Sequence, residues 1–147
     1  MKLLFLFVFL NGISFSQVSL SELRKLVRVD SDSFEVYALE RGYTHFKVLN
    51  ELSCKGLVYG YYDGSETRYL TTYTEYYGDP IPVGYQTGNE AEMIKFYNEL
   101  KTLGFTLEYK DYDDENVIYK IYRKDREELK LVIHIDAKSY ELKYSQL

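Results

Sequence analysis

The sequence predicts an α+β fold: two helix-plus-antiparallel-strand repeats forming one antiparallel sheet, with the helices on one face. Three observations predict it. Apolar and polar residues alternate with a period of two through most of the second half, the mark of strands with one buried face. Short apolar-periodic stretches follow capping residues and close on glycine, as helices do. The order of helix, closing glycine, aromatic strand start and hairpin occurs twice. The length of 147 residues, 46% of them hydrophobic and 28% charged, suits one globular domain over 17–147.

The first sixteen residues read as a secretory signal peptide. Lys2 supplies a positive start, Leu3 to Leu10 is an uninterrupted apolar run, and Asn11-Gly12 breaks it. Ser14 and Ser16 are small residues at the −3 and −1 positions of a cut before Gln17. A membrane span needs roughly 20 apolar residues, so this run is too short to be one. The protein is therefore expected to be exported, to the periplasm or beyond, with no transmembrane or lipid anchor.

Ser19 and Glu22 fit a capping box for a helix to about Arg28, burying Leu23, Leu26 and Val27. Asp32 and Glu35 repeat the device for a second helix that buries Phe34, Tyr37 and Ala38 and stops at Gly42. Strands are expected over Tyr43–Leu49, Leu57–Tyr62 and Thr67–Tyr76, with Asp63-Gly64 turning the hairpin between the last two. Residues 77–88 hold both prolines and read as a loop, with one short strand near Val83–Tyr85. A third helix, capped at Thr87 or Asn89, carries Met93, Phe96, Tyr97, Leu100 and Leu103 and ends at Gly104. Alternation then marks strands around Phe105–Lys110, Val117–Tyr122, Leu129–Asp136 and Tyr140–Tyr144.

The two halves, 31–76 and 89–147, match in order. Phe34, Gly42, Tyr43, Thr44 and Glu66 correspond to Phe96, Gly104, Phe105, Thr106 and Glu128. Leu57, Val58, Tyr59, Tyr61 and Tyr62 correspond to Val117, Ile118, Tyr119, Ile121 and Tyr122. This element order resembles, at fold level, the tandem-repeat beta-lactamase inhibitor proteins. It also resembles the small helix-plus-three-strand subunits of the outer-membrane assembly machinery. The resemblance implies an exported protein that binds other proteins and does no chemistry. The assembly subunits place a lipid-bearing Cys after the cut, where this chain has Gln17. No family motif is present, so no functional residue carries over.

The formal charge of −5 argues against nucleic acid as a partner, because an acidic chain repels phosphate backbones. The single cysteine, Cys54, can form no intrachain disulfide and reads as a small hydrophobe at a strand start. His45 and His134 are the only histidines, and neither has a metal-ligand neighbour at the usual spacing. Asp136 shares a strand face with His134 and reads as a solvated partner. Asp111-Tyr112-Asp113-Asp114-Glu115 lacks the spacing of a Ca²⁺ loop and reads as a polar hairpin tip. No G-x-S-x-G elbow and no glycine-rich phosphate loop occur. No cofactor and no metal are expected.

Seventeen tyrosines remain to be explained, eight of them between Tyr59 and Tyr85. Tyrosine joins flat apolar area to a hydroxyl, which suits contact surfaces. Strand alternation assigns Tyr59, Tyr61, Tyr69, Tyr73, Tyr119, Ile121, Leu131 and Ile135 to the core. It assigns Tyr62 and Tyr122, with Val58, Leu70, Ile118 and Val132, to the open face. Tyr76, Tyr77 and Tyr85 fall in or beside the long loop. The functional expectation is a non-enzymatic domain that binds an exported protein or a small ligand through Tyr62, Leu70, Ile118, Tyr122 and Val132, rimmed by Tyr76, Tyr77 and Tyr85. Two other readings stay open: a small secreted enzyme of unstated reaction, and a structural homodimer whose interface is the apolar face.

Overall fold

The computed structural model describes residues 17–147 except Asp79 and Asp114. The leader read from residues 1–16 lies outside the described residues. Ser19 caps the first helix, α1 (Leu20–Leu26): its hydroxyl accepts from the Glu22 N–H, and the Glu22 carboxylate accepts from the Ser19 N–H at 2.7 Å. The second helix, α2 (Ser31–Glu40), is capped by Asp30 and not by Asp32, with the Asp30 carboxylate accepting from the Ser33 N–H at 2.8 Å. Gly42 leaves this helix at φ 82°, a conformation that favours glycine. Asn89 caps the third helix, α3 (Glu90–Thr102), and accepts from the Glu92 N–H at 3.1 Å.

Eight strands follow the helical starts: β1 (Thr44–Asn50), β2 (Cys54–Tyr62), β3 (Thr67–Tyr76), β4 (Val83–Thr87), β5 (Thr106–Tyr112), β6 (Val117–Lys124), β7 (Glu127–His134) and β8 (Ser139–Gln146). They form one sheet in the order β1-β2-β3-β4-β8-β7-β6-β5, antiparallel at every pairing. The central pair is β4 with β8, and α3 carries the chain from the centre to the far edge at β5. Both edge strands contain an irregularity, at Phe46 in β1 and at Glu108 in β5. Such bulges protect an edge against pairing with other chains.

The expected class is corrected by this arrangement. Strand makes up 48% of the described residues and helix 23%, so the molecule is mostly one eight-stranded antiparallel sheet with three short helices, and not an α+β pair of repeats. Two physical reasons stand behind the difference. The short strand expected near Val83–Tyr85 is β4, which extends to Thr87 and stands at the centre of the sheet with Val83, Tyr85 and Thr87 buried, so it joins the two halves into one sheet. The matched glycines, Gly42 and Gly104, share a local helix-closing geometry, at φ 82° and 79°. That local likeness accounts for the sequence match around them, and α1 has no counterpart ahead of α3.

The helices cover one face. Leu20, Leu23 and Leu26, Phe34 and Ala38, and Met93, Phe96 and Leu100 form one cluster with Tyr59, Leu70, Val83, Tyr85, Leu129, Leu131, Leu142 and Tyr144 of the strands. Polar seams tie the layers together. Arg68 in β3 is 2% exposed and contacts Glu92 of α3 at 2.5 Å and Glu66 at 2.6 Å. The Tyr85 hydroxyl donates to the other Glu92 oxygen at 2.6 Å, and Asn89 donates to Glu66 at 2.6 Å. Arg24 of α1 grips Glu127 of β7 at 2.6 and 2.8 Å, and Glu127 also accepts from the Tyr144 hydroxyl at 2.5 Å. A buried charge is tolerable only when paired in this way.

Candidate docking surface

Residues directly opposite across a sheet share a face, so the register assigns every side chain. One row runs Leu57, Thr72, Val83, Tyr144, Leu129, Tyr122 and Leu107, and it lies under the helices. Another runs Tyr61, Arg68, Thr87, Tyr140, Ile133, Ile118 and Tyr112, on the same side. The face without helices carries the alternate rows. Thr71, Gly84, Lys143, Lys130, Ile121 and Tyr109 form one, and Tyr69, Gln86, Glu141, Val132, Tyr119 and Asp111 form the next.

Several expected positions change face. Leu70 is fully buried under the helices, and Tyr85 is 1% exposed in the core. Tyr122 packs edge-on against Tyr97 of α3, with ring centroids 6.4 Å apart, and burial pushes its hydroxyl up to about 12. Ile118 lies on the same helix-covered side, in the row of Ile133 and Tyr112. Burial also raises the Tyr85 hydroxyl well above its ordinary value. In the other direction, Tyr69, Tyr73, Tyr119 and Ile121 leave the expected core for the open face, and Ile135 is 48% exposed in the turn beyond β7. Both faces of β3 and β6 are apolar, so alternation marked the strands without marking which side is inside. A one-residue error of phase moves every side chain across the sheet.

Tyr62, Val132 and Tyr76 lie on the helix-free side. Tyr62 is 70% exposed near Phe46 and Tyr69, with its hydroxyl donating to the Gly64 carbonyl at 3.1 Å. Tyr76 ends β3, its ring 5.2 Å from Tyr73 and 5.7 Å from the Lys143 ammonium. Tyr77 is exposed and lines, with Tyr76, a hollow beside the β1–β2 turn.

Glycines explain how the open face holds so many rings. A Cβ at Gly60 would meet the Tyr69 ring at 3.4 Å, and one at Gly84 would meet the Tyr73 ring at 3.4 Å. Each tyrosine therefore lies flat over a position with no side chain, the arrangement in which an aromatic covers a strand glycine. The result is an aromatic floor from Phe46 and Tyr69 through Tyr73 to Tyr76.

Two adjoining hollows open on this face. One, of about 350 Å³, is bounded by Tyr76, Tyr109, Tyr119, Ile121, Val132 and the two lysines Lys130 and Lys143. The other, of about 230 Å³, shares Tyr76, Lys130 and Lys143 and extends to Pro80, Pro82 and Arg123. Burial works against charge on Lys143, but the Glu141 carboxylate at 3.0 Å and the Tyr73 and Tyr76 hydroxyls outweigh it and raise its pKa. Arg123 pairs with Glu108 at 2.9 Å and Glu128 at 2.7 Å, and Lys130 reaches the second Glu128 oxygen at 3.4 Å.

Asp113 turns the β5–β6 hairpin, accepting from the Glu115 and Val117 N–H groups at 3.0 Å each. Asp136 accepts from Asn116 at 3.2 Å. Among the described residues, no group of three or more His, Cys, Asp and Glu side chains could hold a metal ion, and no helix is long and apolar enough to cross a membrane. Comparison with family models, with curated proteins and with solved structures returned no match.

Sequence reasoning missed Tyr73, Tyr109, Tyr119, Ile121, Lys130 and Lys143 as members of this surface. The signal that could have found part of it is the glycine inside each of two strands, Gly60 in β2 and Gly84 in β4. A glycine inside a strand leaves room that a side chain of the neighbouring strand can cover.

Proposed function

We propose that the chain is an exported, non-enzymatic binding domain and that the helix-free face of its sheet docks another protein. The observation that carries this reading is the pair of adjoining hollows lined by Tyr76, Lys130 and Lys143 on the face no helix covers. Tyrosine and arginine are the residue types that concentrate binding energy in protein interfaces, and here Tyr76, Tyr109, Tyr119 and Arg123 border one shallow basin. Tyr76 packs on the Tyr73 ring, and the Tyr109 and Tyr119 hydroxyls are held by Asp111 at 2.8 Å and Asp113 at 3.2 Å, so little side-chain freedom is lost on binding. The charges nearby are paired across the surface, which suits a partner of mixed polarity and keeps the free protein soluble.

A photo-reactive phenylalanine analogue placed at Tyr119, or at Ile94 on the helical side, tests the reading in the source cells. Adducts with another protein from Tyr119 and none from Ile94 are the expected result. Adducts from Ile94 alone, or only with a second copy of the chain, contradict it.

A further inference from the structure

We propose that Gln17, once the leader is cut away before it, closes into a pyroglutamyl residue and that Lys95 of α3 speeds the closure. The inference rests on the exported reading above and adds a modification to it. The residues just after the expected cut are tied into the fold. Val18 is 4% exposed and belongs to the core cluster. The Ser19 N–H donates to Glu22 at 2.7 Å, and the Leu20 N–H donates to Glu99 of α3 at 2.9 Å. A chain that starts at Gln17 keeps these anchors, so its new amino end stays beside α3. Gln17 itself is held at two points. Its carbonyl oxygen accepts from Arg41 Nη1 at 3.3 Å, and its side-chain Oε1 accepts from Lys95 Nζ at 3.4 Å. Gln17 is half-buried and Lys95 is exposed.

An N-terminal glutamine carries its own nucleophile and its own electrophile. The freed α-amine attacks the side-chain Cδ, the N–Cδ bond forms, and a lactam ring results. The Cδ–Nε2 bond breaks, and Nε2 leaves as ammonia with a proton given up by the α-amine. Nothing is oxidised or reduced, and no co-reactant is consumed. Negative charge gathers on Oε1 as the amine adds, and Oε1 is the atom that the Lys95 ammonium faces. A cation aimed at a developing oxyanion lowers the barrier. Arg41 fixes the main chain from which both reacting groups spring, which favours their encounter. The product keeps the carbonyl that Lys95 meets. It has lost the terminal charge and the free α-amine, the group by which aminopeptidases grip a chain.

A pulse of isotope-labelled leucine in source cells that make the full chain with its leader tests this, with the intact mass of the exported product followed over time. The product should appear first with Gln17 open and then convert to a form lighter by one ammonia. Lys95→Gln should slow the conversion about fivefold, less than loss of an oxyanion donor in a closed site, because Lys95 stands in solvent and salt. Lys95→Arg should restore most of the rate. Conversion at an unchanged rate in Lys95→Gln overturns the inference, because closure then owes nothing to the fold. Slowing to the same extent in Lys95→Arg overturns it too, by showing that packing and not charge is what Lys95 contributes. A product that starts at Gln17 and stays open overturns the inference and leaves the exported reading standing. A product that keeps its leader, or is cut elsewhere, overturns the inference and the leader reading together.

Discussion

The two faces of the sheet are built from the same residue types and use them differently. Under the helices, Tyr59, Tyr85 and Tyr144 are fully or almost fully buried, and two of their hydroxyls are fixed on carboxylates, Tyr85 on Glu92 and Tyr144 on Glu127. There tyrosine is a core residue with one polar end that must be matched. On the other face Tyr69 and Tyr73 lie over glycines, while Tyr76, Tyr109 and Tyr119 border hollows open to solvent. The difference teaches that tyrosine content alone identifies neither a core nor a surface site. What distinguishes the faces is where each hydroxyl and each flanking charge goes. Substitutions on the two faces should separate stability from binding.

The largest expected effect is at the helix-face ion cluster. Arg68→Ala strands Glu92 without its cation and should cost about 3–5 kcal/mol in urea unfolding. An Arg68→Met, Glu92→Met double variant should cost clearly less, because it removes both charges together. Equal losses would show that packing, and not charge pairing, is what Arg68 contributes.

Gly56→Ala comes next. The new Cβ would lie 2.2 Å from the Thr72 carbonyl oxygen, so the backbone must move, at about 1–3 kcal/mol. Gly60→Ala meets only the Tyr69 ring at 3.4 Å and the Phe46 Cβ at 3.5 Å and should cost less. Reversal of that order would break the account of the glycine-and-ring floor.

Tyr59 offers a gain. Its hydroxyl is buried with no hydrogen-bond partner among the described residues, so Tyr59→Phe should raise stability by about 1 kcal/mol. A loss would mean that the hydroxyl is satisfied after all.

Acid should weaken the helix-face seams. Burial pushes the Glu127 pKa up, but hydrogen bonds from Arg24 and Tyr144 outweigh it, so the net shift is down. Asp63 is held at about 2 by the Ser65 and Glu66 N–H groups. A carboxyl with a lowered folded pKa stabilises the fold fully above the unfolded value, about 4, and loses that contribution as pH falls through the folded one. Denaturation midpoints should therefore fall as pH drops from about 4 toward 2. Glu127→Gln should make that slope shallower.

The smallest stability effects belong to the open face. Tyr76→Ser and Tyr119→Ser should each stay within about 0.5 kcal/mol of the parent, as surface changes do.

Much of the element order was legible because caps and periodicity are local. Ser19 with Glu22, Asn89 and Gly104 set helix ends through hydrogen bonds reaching only a few residues, and Thr67–Tyr76 is strand over its full expected length. The faces were less legible, because inside and outside are properties of the assembled sheet. In β6, Val117, Tyr119 and Ile121 alternate with Ile118, Lys120 and Tyr122, and each set is apolar enough to be core. The choice is made by α3, whose Tyr97 meets Tyr122 and Lys120. Irregularities at Phe46, Thr74 and Glu108 further shift the phase within strands that the pattern treats as regular. The buried partnership of Arg68 with Glu92 had no sequence signal, since two charged residues on different elements look solvated until packing joins them.

The central claim is that the two faces divide the work of stability and of docking. Hydroxyl-radical footprinting tests it most directly, comparing the purified chain with the chain in its native extract. The account predicts that Tyr76, Tyr109 and Tyr119 are oxidised in the purified chain and protected in the extract, while Val36 and Ile94 on the helices react equally in both. Protection of Val36 and Ile94 with no change at the three tyrosines would contradict it.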